Sequence, residues 1–192
     1  MGDVVLDVSM SLDGLIALPN DDPGPLHDWV FRDAEATPYR RGGSTFSGDE
    51  ILIESFDATG AVLMGRRTFD LAEEPWGEDP PFQVPVFVVT NRARDELVKG
   101  ATTFTFVTDG LEAALERAQA AAGEKNVGVM GADVAQQLLR AGRLDEMQIH
   151  LAPVVLGEGI RLFEEGAGPT GLELTRLIDA PGITHLRFRV GR

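Results

Sequence analysis

Ala61-Val-Leu-Met-Gly65, followed at once by Arg66-Arg67-Thr68-Phe69, decides the fold class of this chain. A short apolar run is the signature of a buried strand, the glycine lets the backbone turn sharply out of it, and Phe69 begins a helix that can pack back on the sheet. Two further places repeat the arrangement. Val86-Phe-Val-Val89 runs into Thr90-Asn91-Arg92, and Asn126-Val-Gly-Val-Met130 runs into Gly131-Ala132-Asp133-Val134 and a helical run. In a parallel sheet the C-terminal strand ends lie along one edge, where α/β proteins bind ligands. Backbone N–H groups at a helix N-terminus, backed by Arg or Thr, suit phosphate oxygens. Strand ends of this kind in succession point to a ligand with spread phosphates, most simply a dinucleotide.

Composition narrows the classes. A chain of 192 residues with 43% hydrophobic content fills one core, so a single domain over residues 1–192 is expected. No apolar stretch approaches the roughly 18–20 residues of a membrane span. Met1-Gly-Asp-Val-Val-Leu-Asp enters a strand without a basic leader, and a cytoplasmic location is expected. Cys is absent, which excludes disulfides, thiolate metal sites and a Cys nucleophile. A net charge of −14 argues against nucleic-acid and anionic-membrane partners. Against that background the cluster Arg66, Arg67, Arg92 and Arg94 stands out, either as an anion site or as surface ion pairs.

The spacing predicts strands at Val4–Val8, Leu15–Leu18, Ala61–Gly65, Val86–Val89, Thr103–Val107, Val127–Met130 and Met147–Ala152. Ser47-Gly-Asp-Glu50 caps a helix running to about Asp57, and Arg67–Ala72 is a short helix. Asp109 caps a helix from Leu111 that Gly123 ends, and a further helix runs from about Asp133 to Arg140. Leu26–Phe31 reads as the start of a helix, and Glu73–Pro85 as an acidic, Pro-rich loop. Ala36–Gly48 has no apolar periodicity and reads as a long mobile loop that covers the substrate side of the cleft. Leu172–Leu177 and Thr184–Val190 alternate around Ala180-Pro-Gly182, which predicts an antiparallel hairpin. The expected architecture is a three-layer α/β/α domain, with a mostly parallel central sheet and that hairpin at one edge.

For chemistry, Gly131-Ala132-Asp133 lacks the full G-x-G-x-x-G pattern, which argues against an ordinary Rossmann fold. His27, His150 and His185 are dispersed without ligand spacing, so no metal is expected. The acid–base candidates are Asp13, in a glycine turn, and Asp28, beside Trp29. A carboxylate near an aromatic wall can have a raised pKa and donate a proton. Trp29 offers stacking area for a planar heterocycle. The competing reading makes Asp13 and Asp28 turn or cap residues and Trp29 core packing.

The ordered motifs Ser11-Leu-Asp-Gly-Leu-Ile-Ala17, Gly65-Arg-Arg-Thr-Phe69, Pro85-Val-Phe-Val-Val-Thr-Asn-Arg92, Val127-Gly-Val-Met-Gly131 and Leu144–Gly157 resemble a known family. It is the reductase domain of bacterial riboflavin-biosynthesis deaminase-reductases, in its stand-alone form with the dihydrofolate reductase fold. The resemblance covers nearly the whole chain. It implies an NADPH site in which Leu15, Ile16 and Ala17 flank the nicotinamide. Gly65, Arg66, Arg67 and Thr68 would take phosphates on the adenosine side, with Thr90, Asn91 and Arg92 near the adenine ribose. Gly131, Ala132, Asp133 and Val134 would carry the pyrophosphate. The riboflavin-pathway reductases typically carry Glu-Gly-Gly, with the Glu reading the pyrimidine, where this chain reads Met130-Gly131-Ala132. Met130 therefore stands on the substrate side, and the substrate stays open. The expected activity is NADPH-dependent hydride transfer to a small heterocycle by a homodimer. A dihydrofolate or other pterin reductase and a non-catalytic dimeric nucleotide-binding protein are the alternatives.

Overall fold

The computed structural model describes residues 1–163 and 168–191. Its centre is a nine-stranded sheet. In chain order the strands are β1 (Val4–Ser11), β2 (Leu15–Ala17), β3 (Pro38–Arg41), β4 (Ser44–Ser47), β5 (Thr59–Gly65), β6 (Val86–Val89), β7 (Leu97–Lys99), β8 (Thr102–Val107), β9 (Asn126–Met130), β10 (Glu146–Ala152), β11 (Ile160–Arg161), β12 (Leu172–Ala180) and β13 (Ile183–Val190). The helices are α1 (Asp28–Phe31), α2 (Glu50–Ala58), α3 (Arg66–Ala72), α4 (Leu111–Ala122) and α5 (Ala132–Arg140), with a 3-10 turn at Gly24–His27 before α1. The central sheet runs β12-β13-β10-β1-β9-β5-β6-β8-β7. From β10 to β8 every pairing is parallel. β13 and β12 continue antiparallel beyond β10, and β7 closes the other edge antiparallel to β8. The expected architecture is therefore present.

Alternation along the strands divides the core. Leu6, Leu63 and Val129 face α4 and α5, where they meet Leu115, Val134 and Leu138. On the other face Val62, Met64 and Val88 pack with Phe69 of α3 and with Phe82, Phe104 and Phe106. The Phe69 ring meets Phe104 and Phe106 edge-on at 5.2 and 5.0 Å, a favourable aromatic geometry. A third cluster, Leu26, Trp29, Ala152 and Ile183, seals that second face beneath α1.

Two expectations need correction, and two short strands were not expected. Ala36–Gly48 holds an antiparallel hairpin, β3–β4, and its tip is docked: the Gly43 N–H donates to the Asp79 carbonyl at 2.8 Å. Arg41 fastens it further, donating to the carbonyls of Pro81, Phe82 and Phe56 and lying over the Phe56 ring at 4.9 Å. Polar side chains hid this hairpin, because its pairing is satisfied by backbone and by one arginine. Asp109 does not cap α4. Gly110, at φ 94°, is the N-cap residue, and Asp109 pairs instead with Arg117 at 2.7 Å. The short strands β7 and β11, next, carry too few residues to show a period. Asp49, by contrast, caps α2 as its sequence predicts, accepting from the N–H groups of Ile51 and Leu52. Among the described residues no helix is long and apolar enough to cross a membrane.

Candidate functional site

Register brings the three glycine-led or threonine-led strand ends to one level. Gly65 pairs with Val89, and Met64 with Met130, so Thr90, Arg66 and Gly131 follow one another along the C-terminal edge. The N-termini of α3 and α5 open there with no side-chain cap. The two helix starts also face each other. Gly131 has φ 90°, and a Cβ on it would lie 2.5 Å from Thr68 Oγ1; a Cβ on Gly65 would lie 3.5 Å from Val134. A side chain at Gly131 would thus be strained and would fill the space between the helices. The result is a shallow cradle of free first-turn N–H groups beside one threonine hydroxyl, which is the donor chemistry that a phosphate accepts.

The arginines around this cradle are already paired. Arg66 bonds Asp70 at 2.6 Å and Arg67 bonds Asp21 at 2.7 Å, and Arg92 lies 3.9 Å from Asp70. Arg94 holds Glu73 at 2.8 Å, and it shares the faces of Phe69 and Phe106 with Arg66. The Arg67 and Arg92 side chains are 70% and 76% exposed. An anion arriving here would compete with carboxylates in a screened setting. Thr90 is buried, and its Oγ1 accepts from the Arg92 N–H at 3.1 Å; Asn91 is exposed. Asp133 is exposed in the first turn of α5, where Gln137 donates to it. Ala132 is half-buried beside it and Val134 is core.

Toward β1 the geometry revises the acid–base candidates. Asp13 accepts from Ser11 Oγ at 2.6 Å, from the Gly157 N–H at 2.8 Å and from the Leu156 N–H at 3.1 Å. The Ser11 hydroxyl, the Gly157 N–H and the Leu156 N–H hold its carboxyl at about 2. Asp13 is therefore a clamp joining the Ser11 turn to the segment after β10, and not a proton donor near neutrality. Leu15 and Ala17 are buried and pair through β2 with β11, and Ile16 is half-buried against the main core. Asp28 is exposed at the start of α1. Trp29, at 5% exposure, is core packing and not a free stacking platform: its Nε1 donates to Ser9 Oγ at 2.9 Å, and its ring meets His150 at 4.4 Å and His185 at 5.1 Å. Met130 is half-buried against the aromatic cluster.

Sequence reasoning missed what lies under Trp29. His150 and His185 are opposite each other in the β10–β13 register, with Nδ1 atoms 2.7 Å apart. His150 Nε2 lies 2.9 Å from Asp7 Oδ1, and His185 Nε2 lies 3.5 Å from Asp49 Oδ2. Ser55 Oγ donates to the second oxygen of Asp7. The only sequence signal was Asp7 interrupting an otherwise apolar strand. Nothing in a linear spacing of 35 residues marks a cross-strand pair.

The fold and this edge define the dihydrofolate reductase-like class of α/β proteins. Within it the chain belongs to the RibD C-terminal domain family, whose model matches residues 3–181. It is 28% identical to the Bacillus subtilis protein YwjB over 173 residues, covering 88% of this chain and 87% of YwjB, itself uncharacterized. Among solved structures, a putative riboflavin biosynthesis protein from Shewanella sp. PV-4 superposes with a TM-score of 0.75 at 22% identity, over 100% of both chains. A diaminohydroxyphosphoribosylaminopyrimidine deaminase/5-amino-6-(5-phosphoribosylamino)uracil reductase from Thermotoga maritima gives 0.66 at 14% identity, covering 99% of this chain and 57% of that one. At these identities the structural likeness concerns the fold. Reductases are nonetheless among the proteins that share it.

Proposed function

We propose that the protein is an NADPH-dependent reductase of the riboflavin-biosynthesis type, transferring hydride to a C=N or C=O bond of a small heterocycle. The observation that carries this reading is the cradle at Gly65, Thr68 and Gly131, where two uncapped helix starts meet at one sheet edge. NADPH would supply the hydride. Gly131 and Ala132 would hold the pyrophosphate, Gly65, Arg66, Arg67 and Thr68 the adenosine-side phosphates, and Thr90, Asn91 and Arg92 the adenine ribose. Leu15, Ile16 and Ala17 would flank the nicotinamide and exclude water. With Asp13 held ionised and Asp28 at the surface, this reading takes its proton from solvent. Met130, where the pathway reductases carry Glu, leaves aminopyrimidines and pterins both as substrates to test. Calorimetry with NADPH and NADH, followed by NADPH consumption over aminopyrimidines, dihydropterins and small carbonyls, tests the proposal. Tighter NADPH binding with turnover of one class supports it; absence of NADPH binding refutes it, and binding without any turnover leaves the nucleotide-binding protein as the reading.

The same reading includes a homodimer. The exposed residues Leu172, Leu174 and Leu177 of β12 stand opposite Val190, Phe188 and Leu186 of β13, which pack against the main core. A second copy would cover this apolar face and the free edge of β12.

A further inference from the structure

The paired imidazoles carry a consequence that does not depend on the reductase reading. A carboxylate only accepts, so the 2.9 Å contact with Asp7 requires a proton on His150 Nε2. The 2.7 Å between the two Nδ1 atoms has room for one proton, because two N–H groups cannot face each other at that separation. With both rings neutral, that proton belongs to His185 and its Nε2 is bare. This Nε2 is a buried atom with no hydrogen-bond partner, 3.5 Å from Asp49. One further proton fills that position and gives Asp49 a donor. A second added proton has only the Nδ1–Nδ1 bridge to go to, and it breaks the bridge.

We propose that His150 and His185 form a one-proton latch. The pair holds a single added proton between Asp7 and Asp49, and a second proton parts the rings and frees Trp29 and the first turn of α2 from the sheet. The pair is tied to two elements outside the strands. Asp49 caps α2, and Trp29 lies on both rings. Asp7 lines a cleft open to solvent together with Ser55, Glu54, Gln148 and Arg187, which gives the pair access to protons. The charged and titratable groups facing the pair are Asp7 on β1, Arg187 on β13 with its partners Glu146 and Glu54, Asp49 on α2, and His27 beside Asp28 before α1. Burial pulls the Asp7 carboxyl upward, but His150, Ser55 and Arg187 together keep it below the usual carboxylate range. Burial and the neighbouring His150 push His185 down, against Asp49 and Asp7.

The sign of the stability effect follows. Below about pH 6.5 the unfolded chain binds a proton on each ring, and the folded pair binds one fewer, so stability falls as pH drops. The folding constant should decrease about tenfold per pH unit in that window. The test is an imidazole ¹⁵N NMR titration of the intact protein from pH 8 downward, with hydrogen exchange followed at the Trp29 indole. One proton taken up by the two rings together, with Trp29 protected, is the expected first step. On further acidification the Trp29 indole and the first-turn amides of α2 should exchange at least tenfold faster relative to β1 amides. Two protons on the pair with Trp29 still protected, no uptake before unfolding, or release of Trp29 only with global unfolding would each overturn the proposal. In His185→Gln the Nδ1–Nδ1 bridge is gone and the acid release of Trp29 should vanish. The wild-type proton count decides the matter if that variant does not fold. A His27→Gln background removes the third histidine from the stability measurement.

Discussion

Gly131 decides more about the proposed cofactor edge than any arginine near it, because it sets the distance between two helix starts while the arginines are already paired and Arg67 and Arg92 are exposed. Gly131→Ala places an L residue at φ 90° and a methyl group on Thr68, and should weaken NADPH binding at least tenfold by calorimetry. Adding Thr68→Ala relieves the contact and should restore melting temperature more than affinity. Arg67→Ala and Arg92→Ala should each weaken NADPH more than NADH, by only about fivefold, since a screened surface pair is worth about 1 kcal/mol. Asp13 gives a pH signature of its own. Its carboxyl is depressed to about 2, so the stability it contributes is present above about pH 4 and is lost as pH falls toward 2. Asp13→Asn should flatten that part of the acid unfolding curve, and loss of turnover without loss of stability would argue for a catalytic Asp13 instead. At this scale the strand ends at Gly65, Thr90 and Gly131 were legible because glycine and threonine there are local signals. The surroundings of Trp29 were not: what its ring touches is fixed by Ser9, His150 and His185, from three different strands.

At the scale of elements, strands with four or more apolar-patterned residues declared themselves, as did helices with a cap or a glycine stop. The β3–β4 hairpin did not, because its stability comes from partners distant in sequence. Arg41 reaches carbonyls 15 and about 40 residues away, from α2 and from the acidic loop before β6. Arg41→Ala removes donors from three carbonyls at once and should cost about 2–3 kcal/mol. That corresponds to a fall in melting temperature of roughly 4–12 °C for a chain of this size. Hydrogen exchange at Tyr39–Phe46 should rise selectively in that variant, whereas an unchanged hairpin would mean that Phe46 and Phe56, tilted against each other with centroids 5.6 Å apart, suffice to hold it.

For the whole molecule, the C-terminal hairpin and the net charge pull in opposite directions. A charge of −14 opposes the approach of separate chains, and the exposed leucines of β12 would favour the proposed dimer. Leu174→Glu should convert a dimer to a monomer by light scattering at micromolar concentration, with little change in the fold, because Leu174 is exposed in the single chain. A wild-type monomer would end the proposal. The order of the sheet has a consequence for how the chain is made. β1 lies between β9 and β10, and all but a few of its hydrogen-bonding partners are in residues 126–152. At roughly 5–20 residues per second, a ribosome needs several seconds or more to supply them after β1 has emerged. Throughout that interval an apolar strand with both edges open is exposed to every other nascent chain nearby. Asp7, in the middle of β1, places a charge in that strand while it waits, and a charge within an otherwise apolar strand disfavours pairing with a foreign edge before His150 arrives to receive it.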